Sequence, residues 1–392
     1  MKILITTDCY IFQTGGVANV ILALEHSLRN LGHEVRVLAL SDNGRSRKVG
    51  ESYFIRSFPF IFYPEQRRSF ALRDPLLNEL KAWKPDLIHI HTEASTALMA
   101  HAIARETGAP IVMTTHTDFA YFILGRFGYA PGLRQGFALW GKCVYHRARV
   151  VIVPSEKALS IPQVAGVKDR LKVIPGGIRL ERYQKPVTPG ERDALLRRYG
   201  LADNGYTLVM VTRVSREKNI AEILNYFPAL LRALPQAQLL IAGGGPDLRR
   251  LKKRAAKKGL SGHICFTGRI DPDEVYRYYA AGDAFISAST FETQGLTYLE
   301  ALARGLPLIC RDDPVLRNVL EDGTNGYTYR SEQEFVEHTV RILEDRSLRE
   351  KMRINALAKA EEYSSERFGE RMAALYEDVI RENRKDMKGG HP

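Results

Sequence analysis

Apolar positions along the chain follow two alternating patterns. Short unbroken runs rich in β-branched residues are ILIT (3–6), VRVLAL (35–40), DLIHI (86–90), PIVMTT (110–115) and RVVIVP (149–154). Between them lie longer segments whose apolar residues recur every three or four positions. The clearest spans 17–31, with Val17, Val20, Ile21, Leu24, Leu28 and Leu31 on one face and Gly32 as its stop. A strand buried on both faces has no polar side to alternate with, so unbroken runs followed by helices predict a parallel sheet covered on both sides. The pattern pauses at KVIPGGIRLERY (172–183) and a polar, proline-bearing stretch to Gly190. It resumes with TLVMVTRV (207–214), QLLIAGG (238–244), HICFTG (263–268), AFISAS (284–289) and LPLIC (306–310). Two doubly wound α/β domains are therefore expected, joined near residues 176–190, with ligands at the carboxyl ends of the strands and a site in the cleft between the domains. A charged amphipathic helix is expected over about 364–384.

Composition narrows the class. With 392 residues, 26% charged and 45% hydrophobic, the chain reads as soluble and globular, with length for two cores. No apolar run approaches the roughly 18 residues that a membrane-spanning helix needs. Asp8 arrives too early for a secretory leader, so the N-terminus reads as a first strand. Cys9, Cys143, Cys265 and Cys310 are widely spaced, which fits reduced thiols in a cytoplasm better than a disulfide framework or a zinc ribbon. The formal charge of +12 is uneven: residues 1–185 carry 25 basic and 15 acidic side chains, the remainder 32 and 30. A polyanionic partner for the first half is implied, with phospholipid and nucleic acid as the two candidates.

Chemistry concentrates where strands end. In SASTFETQGLTYLEALARG (287–305) a strand gives way to a polar loop carrying Glu292, and Gly295 opens a helix containing Glu300. The unpaired N–H groups of Gln294, Gly295, Leu296 and Thr297 at such a helix start suit a diphosphate. Glu292 could then accept hydroxyls of a sugar on one side and Glu300 those of a ribose on the other. The plainer reading makes Glu292 a complement to the helix dipole and Glu300 a solvated residue. Arg213 and Lys218, in the turn after TLVMVT, could neutralise a leaving diphosphate without a metal, or simply face solvent. Gly15-Gly16, before the first helix, permits close approach of backbone to ligand, but lacks dinucleotide-fingerprint spacing and by itself reads better as an ordinary turn. His116 ends the run PIVMTTH and begins a loop with Asp118, a place for substrate hydrogen bonding or for a satisfied core histidine. His89 and His91 share one face of a strand, with no third metal ligand nearby in sequence. Asp271-Pro272-Asp273-Glu274 resembles a metal-binding DxD but reads better as a helix start, with Asp271 as N-cap and Pro272 at the first helical position. RRLKKRAAKK (249–258) reads as a solvated helix face.

Two aromatic stretches in the basic half bear on membranes. One is SFPFIFYPEQRRSF, with Phe58, Phe60, Phe62, Arg67 and Arg68; the other is FAYFILGRFGY, with Phe119, Phe122 and Arg126. Aromatic wedges beside cations suit an anionic membrane surface, although the same residues could stack nucleic-acid bases or pack as an ordinary loop.

Gly15-Gly16, His116, Arg213…Lys218 and Glu292-x7-Glu300 together resemble glycosyltransferase family 4, retaining enzymes of the GT-B fold, over essentially the whole chain. ISASTFETQGLTYLEALARGLPLICRDD is most similar to bacterial diacylglycerol glucosyltransferases. PGGIRLERY departs from relatives, which often carry Asn or Thr at Gly176 and Asp at Arg179. The resemblance implies an acceptor domain over 1–182, a nucleotide-sugar domain over 183–365, and a terminal helix (366–392) returning to the first. It implies metal-independent transfer of an α-hexose, glucose from UDP-glucose, to a lipid such as 1,2-diacylglycerol on the cytoplasmic membrane face, with no cofactor. Arg213 and Lys218 would hold the diphosphate, Glu292 the donor sugar and Glu300 the ribose. His116 would sit near the reacting carbon, and Gly16 would line the cleft. Alternatives are a phosphatidylinositol mannosyltransferase using a GDP-sugar, a transferase with a soluble acceptor, a nucleotide-sugar epimerase, and a nucleic-acid-binding protein.

Overall fold

The structure is a computed structural model and describes residues 1–11, 15–60, 63–116, 131–163 and 166–389. The chain divides into two compact units: Met1–Gly177 with Ser365–Pro392, and Ile178–Ser364.

In the first unit the strands are β1 (Lys2–Thr7), β2 (Glu34–Leu40), β3 (Arg47–Val49), β4 (Ser52–Ile55), β5 (Phe58–Phe60), β6 (Tyr63–Arg68), β7 (Leu87–Ile90), β8 (Ile111–Thr114), β9 (Ala148–Val153) and β10 (Leu171–Val173). Eight form one sheet in the order β10-β9-β8-β7-β1-β2-β4-β3, parallel except for the β3 edge. Ile3, Leu4 and Ile5 are fully buried in the middle of it, which is why the first run reads as unbroken apolar. β5 and β6 form a separate antiparallel pair, Phe58 opposite Arg68. The two strands are too short and mixed to show a period in the sequence.

The C-terminal helix, Ser365–Gly389, belongs to this unit and packs on the helix Gly16–Asn30. Gly369 makes the close approach possible, since a Cβ there would lie 2.0 Å from Ser27 Oγ. Phe368, Met372, Leu375, Tyr376 and Val379 are buried along the helix.

In the second unit β11 (Tyr206–Val211), β12 (Ala237–Ala242), β13 (Ile264–Gly268), β14 (Ala284–Ser287), β15 (Leu308–Arg311) and β16 (Gly326–Tyr329) form a wholly parallel sheet in the order β13-β12-β11-β14-β15-β16. Apolar clusters cover it on both faces, one built around Tyr279, Phe285 and Leu302, the other around Phe227, Ile286 and Phe335. The chain lays down β11, β12 and β13 outward, then returns to place β14 on the other side of β11. That reversal opens a crevice where the carboxyl ends of β11 and β14 diverge, the place where such sheets bind ligands.

One helix start differs from expectation. The helix after β13 spans Val275–Ala280, with Glu274 rather than Asp271 at its N-cap. Asp271 instead closes a turn, its Oδ1 accepting the Asp273 N–H at 2.9 Å, and Asp273 pairs with Arg182 at 3.0 Å. The side chains that would have capped are occupied elsewhere. Among the described residues no helix is long and apolar enough to cross a membrane.

Candidate active site

The loops leaving β11 and β14 bring two of the expected residues into contact. After β11 the chain passes Arg213 and makes one short 3-10 turn, Arg216–Lys218. Asn219 then enters the helix Ile220–Ala233 from the left-handed region. The Gly243-Gly244-Gly245 loop after β12 supports this turn: Val214 N–H donates to Gly244 O at 2.9 Å. After β14 the loop carries Glu292 to the helix Leu296–Ala303. Lys218 Nζ donates to Glu292 Oε1 at 2.6 Å, and both side chains retain some exposure (20% and 15%). A cation and a carboxylate are thus presented together at the mouth of the crevice.

The helix Leu296–Ala303 begins at Gly295, whose φ of 73° is open to glycine and costly for other residues, and whose Cβ would also strike the Tyr298 ring at 2.3 Å. No side chain caps its first turn. Leu296 and Thr297 are partly exposed, whereas Gln294 and Gly295 are buried.

Glu300 is not on a solvated face. It is buried, accepting Tyr183 O–H at 2.8 Å on Oε1 and Tyr279 O–H at 2.6 Å on Oε2. Burial raises its pKa, while the two phenols oppose the rise. Each carboxylate oxygen keeps a second lone pair, so the group can accept further hydroxyls while held in place. Arg213 is exposed at the end of β11.

In the first unit, His116 follows β8. Its Nε2 lies 2.9 Å from His91 Nδ1, and the two rings meet edge to edge, 15° from coplanar, with centroids 5.2 Å apart. His91 Nε2 is 3.1 Å from His89 Nδ1. Hydrogen bonds between rings account for the pair that the sequence leaves open to a metal reading. Among the described residues no three His, Cys, Asp or Glu gather as metal ligands would. Gly16 is the first residue of its helix and exposed, and a Cβ on Gly15 would touch nothing within 4 Å.

Of the aromatic residues, Phe58 is 45% exposed and its ring lies 5.8 Å from that of Phe70, tilted by 40°, with Phe70 itself 81% exposed. Phe60 is partly buried beneath Arg68, whose guanidinium sits 4.8 Å over its ring and 3.9 Å from Asp8. Arg67 folds back to donate to Ser57 Oγ and O at 2.6 and 2.9 Å. The two cations of this hairpin are bound within the protein. Phe62, Phe119, Phe122 and Arg126 lie outside the described residues.

A buried acid that the sequence reading passed over is Glu93, just after β7. Thr115 O–H donates to it at 2.5 Å and Tyr145 O–H at 3.2 Å, and burial lifts its pKa to about 7. Asp8, after β1, accepts the Ser95 and Thr96 N–H groups at 3.0 and 2.8 Å, capping the helix Ser95–Thr107 from a distant part of the chain. Neither role has a local signal, because each depends on which strands are neighbours.

Comparison with known proteins decides the family. The family described as Glycosyltransferase Family 4 matches residues 14–182, and that described as Glycosyl transferases group 1 matches residues 191–359. An alpha-monoglucosyldiacylglycerol synthase of Streptococcus pneumoniae is 35% identical over 98% of this chain and 87% of its own. The chain belongs to the family 4 glycosyltransferases. A second alpha-monoglucosyldiacylglycerol synthase, from Acholeplasma laidlawii, is 30% identical over 99% of both chains. Among solved structures, Anabaena HepE in complex with UDP superposes with a TM-score of 0.74 at 18% identity, covering 96% of this chain and all of its own. Sucrose-phosphate synthase of Thermosynechococcus elongatus gives 0.74 at 19%, covering 97% and 99%. The two Rossmann-like parallel-sheet domains of this glycosyltransferase are those of the GT-B fold.

Proposed function

We propose that this glycosyltransferase moves an α-glucosyl group from UDP-glucose to diacylglycerol at the cytoplasmic face of a membrane, with retention of configuration. The observation that carries the reading is the nearly full-length likeness to two alpha-monoglucosyldiacylglycerol synthases. The geometry supplies roles consistent with it.

In this reading the donor diphosphate lies over the start of the helix Leu296–Ala303, where the uncapped N–H groups and helix dipole favour an anion. Arg213 and Lys218 add two positive charges. Lys218 is held at 2.6 Å by Glu292 before the donor binds, so binding exchanges partners: the ammonium turns to the diphosphate and the carboxylate to hydroxyls of the glucosyl ring. Glu300, already held by Tyr183 and Tyr279, accepts the ribose hydroxyls. His116 contacts the donor sugar.

The bond from the anomeric carbon to the phosphate oxygen breaks with its electron pair passing to the diphosphate. The acceptor hydroxyl attacks from the same face, and its proton passes to the departing oxygen. Charge stabilisation by Arg213, Lys218 and the helix start is the main electrostatic contribution, and no metal is required for it.

The test is a donor screen, UDP-glucose first, with diacylglycerol in anionic liposomes, run with and without a chelator. A glucosyl lipid of α configuration, made equally well with chelator, is the expected product. No glycolipid with any donor overturns the lipid reading. Product from GDP-mannose alone replaces it with mannosyl transfer, the activity named for a Mycolicibacterium smegmatis relative at 28% identity over 80% of both chains.

A further inference from the structure

At the amino ends of β14 and β15, on the side of the second sheet away from the crevice, lies a cavity of about 700 Å³. All its lining residues belong to the second unit, and the proposed reaction makes no use of it. The helix Leu296–Ala303 starts at the crevice and ends here, with Arg304 and Gly305 after its last turn lining the cavity. The helix Arg346–Glu361 contributes another wall. Together they bring Arg304, Arg346, Arg349 and Arg353 to one hollow.

We propose that this cavity is an anion site apart from the crevice, and that it takes a small molecule carrying a phosphate monoester. The charges around it do not balance. Two carboxylates, Asp283 and Glu350, share the lining with the four guanidiniums. Asp283 is engaged from outside the cavity: its Oδ2 accepts the Thr207 N–H at 2.8 Å and lies 3.6 Å from Arg192. Glu350 pairs with Arg353 at 2.7 Å. Arg349 donates to Ile342 O at 3.4 Å and to Leu343 O, closing the end of the helix Glu332–Glu344. Arg304 and Arg346 are left without an acidic partner. Arg346 is exposed and makes no hydrogen bond or salt bridge among the described residues. Arg304 gives Nη1 to Lys185 O at 2.8 Å and keeps Nε and Nη2.

Arg304 is not needed at the helix end it follows. Gly305 N–H donates to Leu302 O at 2.8 Å and Leu306 N–H to Ala301 O at 3.0 Å, so backbone closes those carbonyls. Gly305, at a φ of 77°, also makes room for Arg353, since a Cβ there would lie 2.8 Å from Arg353 Cγ. Burial lowers the pKa of Arg304, and what opposes the fall is the Tyr276 phenol, not a carboxylate. A half-buried cation without a counter-charge is costly, and a bound anion relieves that cost. Planar guanidiniums offer paired N–H donors that match phosphate oxygens. A bare ion would leave most of the volume empty, whereas a cavity of this size suits a small organic molecule. Gln184 lines the same cavity and offers an amide to neutral hydroxyls.

The test is calorimetric titration of the full-length protein, without donor, at fixed ionic strength. The probes are glucose-6-phosphate, glucose as its neutral control, and phosphatidylcholine vesicles with and without phosphatidic acid, whose headgroup bears the same monoester. The expected result is one saturable site for glucose-6-phosphate and none for glucose. Arg346→Gln, at an exposed side chain, should weaken that site about tenfold. Arg304→Gln with Arg346→Gln should weaken it about 100-fold, at unchanged melting temperature and unchanged affinity for UDP.

Saturable binding of phosphatidic acid vesicles alone, lost in the same double variant, keeps the site and makes its ligand a lipid headgroup. Absence of saturable binding by either phosphate probe overturns the proposal, as does equal binding of glucose. Unchanged affinity in the double variant, or an equal loss of UDP affinity, also overturns it, since the anion would then sit elsewhere. If UDP does not bind at all, the donor reading fails, while the variants still decide this site.

Discussion

At the scale of single residues, the site is a set of charges placed by neighbouring strand ends. Lys218 and Glu292 are 74 positions apart and 2.6 Å in contact, because β14 returns to lie beside β11. If Arg213 and Lys218 stabilise the departing diphosphate, Arg213→Ala and Lys218→Ala should each lower kcat by about 100-fold, read in a steady-state assay at saturating donor. Turnover near wild type removes them from the leaving group. Glu93 predicts a pH effect on stability. Its folded pKa of about 7 lies above the unfolded value near 4.5, so between those limits the folded state holds a proton that the unfolded state has released. Stability from this group is therefore full below pH 4.5 and falls as pH rises through 7. Glu93→Gln, which keeps an oxygen for Thr115 and Tyr145, should gain stability over wild type by up to roughly 3 kcal/mol more at pH 8 than at pH 4.5, measured by urea unfolding. A pH-independent difference would place the carboxyl in a more polar setting than the structure gives it.

At the scale of elements, most strands of the two parallel sheets were legible because burial on both faces leaves an unbroken apolar run; β12, from Ala237 to Ala242, is buried at every position. The hairpin β5–β6 was not, since three residues of one strand and an edge position give no period. The strand-end placement of Arg213, Lys218 and Glu292 was legible too, but their contact was not: strand order is a long-range property that local pattern does not carry. Of the two readings of Glu300, the solvated one fails because its tyrosine partners lie 117 and 21 positions away, beyond the reach of local pattern. The helix after β13 was misplaced because Asp271 and Asp273 find other partners. Where Gly369 lets the C-terminal helix lie on Ser27, Gly369→Ala should cost about 1–3 kcal/mol and lower the melting temperature, as overpacking does. An unchanged melt would mean that the helices separate without penalty. The exposed Phe58–Phe70 pair gives an element-scale test of membrane contact. Replacing both with serine should weaken sedimentation with anionic liposomes severalfold while leaving the fold intact by circular dichroism. Undiminished sedimentation would exclude this hairpin as the contact.

At the scale of the molecule, the two units differ in how the chain builds them. The second is one continuous stretch, and both of its apolar clusters draw only on residues 178–364. The first is closed by the last helix of the chain. A fragment of residues 178–364 should fold cooperatively by itself, whereas a chain ending at Ser364 should lose the melting transition of the first unit and bind a hydrophobic dye. Two intact transitions in the shortened chain would show that the helix is dispensable.

The same discontinuity sets a clock on biosynthesis. When the ribosome has finished the first 177 residues, the helix Gly16–Asn30 lacks the cover that the helix Ser365–Gly389 will give it at Ser27. The span Ile178–Ser364 must be translated next, which takes roughly 10–40 s at ordinary elongation rates. For that interval the newborn first unit carries an open apolar groove, and His89 lacks its Tyr376 partner. The second unit, made last but for one helix, can be complete before the first. Chaperone dependence should therefore concentrate in this window.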